Sequence, residues 1–375
     1  MTASTHLTIS TCNLNQWSLS FPTNTSNILA SCRIARSRGS TYRLGPELEI
    51  CGYGCEDHFL ENDTFDHCWS SLITLLEEGA AEGMVCDFGM PVLHRGVRYN
   101  CRVICYEKEI LLIRPKTAMA DGGNYREGRY FTPYAPTKDG NEMYQLPMEF
   151  RERIGQREVP FGLHFLQASD GVTFGCESCE ELWTPRSTHV DLSLRGVEII
   201  GNGSGSHHEL RKLSARMDLI INATKKCGGI YLYANQRGCD GSRMYYDGCA
   251  MIVVNGRIVA QGPQFDVEDV CVVTATVDLE EVRSWRAANP AFGMQATRLL
   301  SEEGEGGVGA VNCRACLFSP TLRERVPQQD LELKVYKPEE ECCLGPACWL
   351  WDWLRRSGAA GFFLPLSGEF ITGLD

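Results

Sequence analysis

The chain has 375 residues, enough for a full-sized core and two or three domains, and its apolar and charged content is that of a folded globular protein. A formal net charge of -12 argues against nucleic acid and against a membrane surface as partners, since both want basic patches. Nineteen cysteines with no basic, apolar leader ahead of them read as the reduced thiols of a cytoplasmic protein.

His6 to Cys12 alternates apolar and polar residues, which predicts a strand starting the fold from an edge, with Asn13, Asn15 and Gln16 at its polar end. Asn24 to Arg38 carries Ile28, Leu29, Cys32 and Ile34 at helical spacing and stops at Gly39. A strand ending near Leu44 then meets Pro46, which breaks the ladder and puts Glu47 at its tip. A carboxylate held between a proline and Leu48 is expected to be partly desolvated, which suits a general base; a surface Glu is the ordinary alternative. Asp66 to Glu82 predicts a second amphipathic helix, and Met84–Leu93 and Arg98–Cys105 predict strands.

Glu109 to Arg114 is a further short strand, and Pro115-Lys116 ends it with a cation. The loop from Asp121 to Glu127 is polar and carries Tyr125. A short apolar run through Val172 and Phe174 then stops at Cys179, followed by Glu180, Glu181 and Trp183. A buried strand ending in a polar elbow can expose a thiolate beside free backbone N–H groups. A cysteine in such a place is otherwise a small buried hydrophobe. Three strand ends thus offer an acid, an ammonium and a sulfur; an oxyanion-stabilising ammonium is the part that Glu47 and Cys179 otherwise lack.

Gly196 to Ile200 reads as a strand running into a small-residue loop, Gly201 to His208, that opens a helix containing Arg211 and Arg216. Such a turn could cradle a carboxylate or phosphate, although it lacks dinucleotide or Walker spacing. Gly229–Asn235 and Ala250–Ala260 predict strands, the latter with a hairpin turn at Asn255-Gly256. Early strand–helix alternation with late hairpins suggests a layered α/β sandwich. The run Glu302 to Gly309 reads as a flexible linker, and Cys348 to Arg356 as an apolar helix around Trp349, Trp351 and Trp353.

The order Glu47, Lys116, Cys179 resembles the triad of the nitrilase superfamily. More specific words surround it: Gly-Pro-Glu-Leu-Glu-Ile-Cys-Gly-Tyr-Gly from Gly45, Asn-Tyr-Arg-Glu from Asn124, and Cys-Glu-Glu-Leu-Trp-Thr-Pro from Cys179. With Gly-Ser-His-His-Glu-Leu-Arg-Lys from Gly205 and Leu-Gly-Pro-Ala-Cys-Trp-Leu-Trp-Asp from Leu344, they resemble eukaryotic glutamine-dependent NAD synthetases. The resemblance covers nearly the whole chain to Gly368. It implies a four-layer α-β-β-α sandwich and a glutaminase domain over residues 1–290. It further implies a linker over 291–343 and the start of an ATP-pyrophosphatase-type synthetase domain over 344–375.

Carried residue by residue, the resemblance implies that Cys179 attacks the carboxamide of L-glutamine and that Glu47 moves the proton. Lys116 and the N–H after Cys179 would hold the oxyanion, with Glu127 orienting the lysine. Tyr125, Trp183, Ser206 and Arg211 fall at the glutamine-binding positions, the arginine suiting an α-carboxylate. Ammonia released from a glutamyl thioester would serve amidation of deamido-NAD, and superfamily members assemble as homo-oligomers. The family continues from Leu-Ser-Gly into an ATP loop, whereas here Glu369 follows Gly368. The ATP and magnesium of the full-length family are therefore expected to have no site in these residues, and the glutaminase itself needs no cofactor.

Two other readings use other features. The pairs Cys176/Cys179 and Cys313/Cys316 are both Cys-x-x-Cys, but most of a domain separates them, which is poor zinc-site spacing. A catalytically silent partner of a full-length synthetase is the other, motivated by the tryptophan-rich helix.

Overall fold

The structure, a computed structural model, describes residues 5–136, 140, 142–241, 244–302, 308–319, 331 and 333–364. Its first half runs β1 (His6–Leu14), α1 (Phe21–Ser37), β2 (Tyr42–Leu44), α2 (Asn62–Glu77), β3 (Val85–His94), β4 (Val97–Tyr106), β5 (Glu109–Pro115), β6 (Glu142–Gln145), α3 (Met148–Ile154) and β7 (Glu158–Phe161). The next stretch holds β8 (Phe165–Gln167), β9 (Thr173–Ser178), α4 (Thr188–Leu194), β10 (Ile199–Ser204), α5 (Lys212–Cys227) and β11 (Ile230–Gly238). Then come β12 (Tyr246–Asp247), β13 (Met251–Val254), β14 (Arg257–Gln261), β15 (Val270–Asp278), α6 (Leu279–Ala287), α7 (Pro290–Glu302), β16 (Ala310–Asn312) and α8 (Pro338–Ser357).

The strands join in the order β16-β8-β9-β10-β11-β1-β2-β3-β4-β5-β7-β6, and the sheet folds over on itself. Period-two alternation makes this possible. In β11, Ile230, Leu232 and Ala234 face the apolar layer between the two halves of the sheet. Tyr231 and Tyr233, one step out of phase, pack with α5 residues Leu213, Met217 and Ile220. The other half does the same: Leu44 and Ile104 point to the shared layer, while Phe88 and Val103 meet Ile28 of α1 and Leu72 and Leu76 of α2. Two helical layers therefore enclose two sheet layers, the α-β-β-α sandwich that the resemblance implies.

Between β9 and β3 the pairings β9–β10, β10–β11, β11–β1, β1–β2 and β2–β3 are all parallel. Their carboxyl ends share one edge, where ligands collect in open α/β sheets. With β4 antiparallel to β3 and β5 antiparallel to β4, the end of β5 reaches that edge too.

Several expectations shift. β1 is no edge strand, since it pairs with β2, β11 and β15. Helix α1 begins ahead of Asn24, with Pro22 in its first turn where the missing N–H costs nothing. The stretch from Gly201 is no phosphate-cradling loop but strand as far as Ser204. Its glycines serve packing: a Cβ on Gly201 would meet the Tyr42 hydroxyl at 2.6 Å, and one on Gly203 the Arg102 guanidinium at 2.1 Å. The hairpin turn falls as predicted, with Asn255 and Gly256 at φ 49° and 85°. Residues 291–343, expected as linker, contain most of α7 and also β16, which pairs with β8. In α8, Trp349 stacks on Trp353, which leans on Trp17, so of the three tryptophans Trp351 is the exposed one. The Gly368–Glu369 junction lies outside the described residues. No helix among the described residues is long and apolar enough to cross a membrane.

Candidate active site

Lys116 follows β5 and is fully buried. Its Nζ donates to Glu47 Oε1 at 2.6 Å and to both oxygens of Glu127, at 2.9 and 2.7 Å. Glu47, also fully buried, accepts from Asn100 Nδ2 at 2.8 Å and from the Gly205 N–H at 3.0 Å. Its own backbone is tied down as well: its N–H donates to Ser204 O and its carbonyl accepts from Gln236 Nε2. Glu127 further accepts from the Ala120 N–H and the Tyr53 hydroxyl. Glu127 thus has two donors on each oxygen, while Glu47 has two on Oε1 and one on Oε2, which leaves Oε2 an open acceptor position.

One ammonium serves two carboxylates, and the cluster carries an excess negative charge. Burial pulls the Lys116 ammonium down, but Glu127 and Glu47 overcome it and hold the lysine well above its usual range. Burial, with Glu47 alongside, raises Glu127 to about 7 despite Lys116.

Cys179 begins a short 3-10 helix, Cys179–Trp183, at the end of β9. Its φ of 40° lies in the left-handed region, which costs a non-glycine residue on the order of 1–2 kcal/mol. Its N–H donates to Asn202 Oδ1 at 2.9 Å. Glu181 pins the same turn, accepting from the Ser178 and Thr117 N–H groups and pairing with buried Arg114. Burial pushes the thiol well up, and Glu47 adds to this, while Lys116 and the Gly205 N–H pull it back. The sulfur is thus a neutral thiol within electrostatic reach of both Glu47 and Lys116. The Glu180 N–H, in the first turn, has no helical acceptor.

Cys179 lines an open cleft of about 580 Å³ with Tyr125, Glu180, Trp183, Ser206, Arg211 and Lys212 among its walls. All the residues expected to bind substrate therefore meet at one cleft. Tyr125 is braced by the His207 N–H and the Gly205 carbonyl. Ser206 is held by Asn235 through both backbone groups, and its buried hydroxyl has no protein partner. Arg211 lines the cleft as expected. Its guanidinium bonds Glu341 of α8 at 3.0 Å, the Tyr336 carbonyl at 2.8 Å and Ser214 Oγ of α5 at 3.3 Å. The neighbouring Lys212 holds its ammonium 5.3 Å over the Tyr125 ring and 3.3 Å from Glu209. Asn100, Tyr53, Asn202 and Lys212 escaped the sequence reading. An asparagine inside a strand and a lysine after an arginine carry no periodic signal that marks them.

The carbon-nitrogen hydrolase family matches residues 8–287. The chain is 55% identical over 366 residues to the glutamine-dependent NAD(+) synthetase of Saccharomyces cerevisiae, covering 96% of this chain and 50% of that protein. With the glutamine-dependent NAD(+) synthetase of Homo sapiens it shares 53% identity, again over 96% of this chain and 50% of that protein. The chain thus spans about half the length of the curated relatives it matches. Among solved structures it resembles the glutamine-dependent NAD+ synthetase from Acinetobacter baumannii, with a TM-score of 0.66 and 19% identity over 94% of this chain and 53% of that one. It also resembles an amidase from Nesterenkonia, with a TM-score of 0.56 and 16% identity over 77% of this chain and 96% of that one.

Proposed function

The chain belongs to the carbon-nitrogen hydrolase family, and from that premise we propose that it hydrolyses the side-chain amide of L-glutamine, with Cys179 as nucleophile, Glu47 as general base and Lys116 beside the oxyanion. The observation that carries this is the bonding of Lys116 to Glu47 at 2.6 Å, with the Cys179 sulfur in the field of both.

A neutral thiol is a weak nucleophile, so the first step couples attack to proton transfer. Sulfur bonds to the amide carbon as its proton passes to Glu47, and the carbonyl electrons move onto oxygen. Lys116 and the Glu180 N–H stabilise that oxyanion. The tetrahedral centre collapses, the C–N bond breaks, and the proton on Glu47 leaves with ammonia. Water, deprotonated by Glu47, then attacks the glutamyl thioester, the C–S bond breaks, and the proton returns to sulfur as glutamate departs. Glu127 keeps Lys116 aligned throughout. Ser206, Tyr125 and Trp183 seat the substrate. Lys212 takes its α-carboxylate in place of Arg211, and Glu180 takes its ammonium.

The names of the relatives support a destination for the ammonia, the amidation of deamido-NAD; ATP and magnesium belong to that amidation and not to the hydrolysis. The reading includes the domain limits given above, a homo-oligomer and a cytoplasmic location, the last resting on nineteen free cysteines. A silent partner of a full-length synthetase is the second reading, favoured by exposed Trp351, Phe362 and Phe363. One assay separates them: the purified chain should release glutamate from glutamine, and Cys179→Ala should not. Turnover unchanged in that variant removes Cys179 from the mechanism, and no turnover in the parent chain favours the silent reading.

A further inference from the structure

A buried hydrogen-bond chain leads away from the nucleophile through residues that do not line the cleft. The Cys179 N–H donates to Asn202 Oδ1 at 2.9 Å, and Ser204 Oγ donates to the same oxygen at 2.9 Å. With its oxygen so placed, Asn202 points its amide nitrogen at the Tyr231 hydroxyl, 2.8 Å away. That hydroxyl donates in turn to Glu177 Oε1, and the His189 N–H donates to Glu177 Oε2 at 2.8 Å. The His189 ring closes the chain, with Nδ1 3.1 Å from Glu177 Oε1. All of these residues are buried, and apart from Cys179 they come from β9, β10, β11 and α4. A carboxylate inside a core needs such partners, but packing alone would be served by apolar side chains. What this chain adds is direction, since it ends on the amide of a residue held at φ 40°.

We propose that Asn202, Tyr231 and Glu177 are positioning residues that hold the Cys179 elbow in its left-handed turn. Because the Cys179 N–H is spent on Asn202, it cannot also serve an oxyanion, and that duty passes to the Glu180 N–H and Lys116. Tilting the elbow moves sulfur and donor together, and misplacement by an ångström costs on the order of a hundredfold in rate.

The catalytic part rests on the glutaminase reading, so the experiment has two arms. Tyr231→Phe and Asn202→Leu are compared with the parent chain for kcat and KM on glutamine, and for the rate of iodoacetamide labelling at Cys179, read by peptide mass spectrometry with exposed Cys316 as internal reference. Melting curves confirm that each variant folds. Tyr231→Phe should lower kcat by about tenfold and Asn202→Leu by more, with KM within about twofold. Labelling at Cys179 should slow in both variants while labelling at Cys316 is unchanged. Equal Cys179 labelling in all three proteins, or a raised KM at constant kcat, overturns the proposal. If glutamine proves not to be a substrate, the labelling arm still decides it.

Discussion

Lys116 concentrates the electrostatics of the site in one side chain. It is fully buried and bonded to two buried carboxylates. Lys116→Met keeps the length and removes the charge, leaving Glu47 and Glu127 facing each other without a cation. The expected cost is about 3–5 kcal/mol of stability, read by urea denaturation, with loss of glutamate release. A variant as stable as the parent would mean the triad is not desolvated as described. Glu47 and Cys179 were legible in the sequence because a proline and an abrupt end to an apolar run each mark a strand tip. Arg211 lines the cleft as expected, but its pairing with Glu341 was not legible, because α8 lies more than a hundred residues away in the chain.

Strand β10 shows how an element can look like a loop. Gly201 and Gly203 lack side chains because Tyr42 of β2 and Arg102 of β4 come up against them, and Asn202 and Ser204 are polar, so no hydrophobic period remains to read. Arg102 is the group facing Gly203, and it donates to the Pro46 and Gly45 carbonyls at 2.8 Å each, immediately before Glu47. Gly203→Ala would force that guanidinium aside and loosen the Glu47 loop. Overpacking of this kind costs about 1–3 kcal/mol, and kcat should fall by more than the loss of stability explains. Normal kcat in a folded Gly203→Ala protein would show that Arg102 does not hold the loop. Where alternation was intact, as in β11 and the β13–β14 hairpin, strands fell where the sequence placed them.

At the scale of the whole molecule, two buried carboxyls make stability depend on pH. Asp240 is raised by burial to about 7, against Ser18 and the Gly54 N–H, and Glu127 is raised to about 7. Between the unfolded values of 3.8 and 4.5 and those raised ones, the folded chain binds more protons than the unfolded chain. Stability therefore falls as pH rises through that window and levels off above it. Asp247 behaves oppositely. Although burial raises it, Arg216 outweighs this and lowers it to about 2, so its contribution is full above the unfolded value and is lost only in strong acid. His207, lowered by burial to about 4, offsets part of this below its unfolded value of 6.5; the urea midpoint should still be higher near pH 5 than near pH 7.5, and Asp240→Asn should reduce the difference. A midpoint that rises with pH over this range contradicts the assignment. The layered sandwich was legible from strand–helix order, but its closure was not, because the pairing of β1 with β11 and β15 joins residues more than two hundred apart.

The covalent intermediate tests the central claim most directly. Glu47→Gln should still let Cys179 be acylated slowly but should not activate water, so glutamine would leave a glutamyl group on the protein. Acid-quenched peptide mass spectrometry should then find that adduct on the peptide bearing Cys179. Glutamate release by the parent chain, with the adduct on another residue and Cys179 unmodified, would contradict the account.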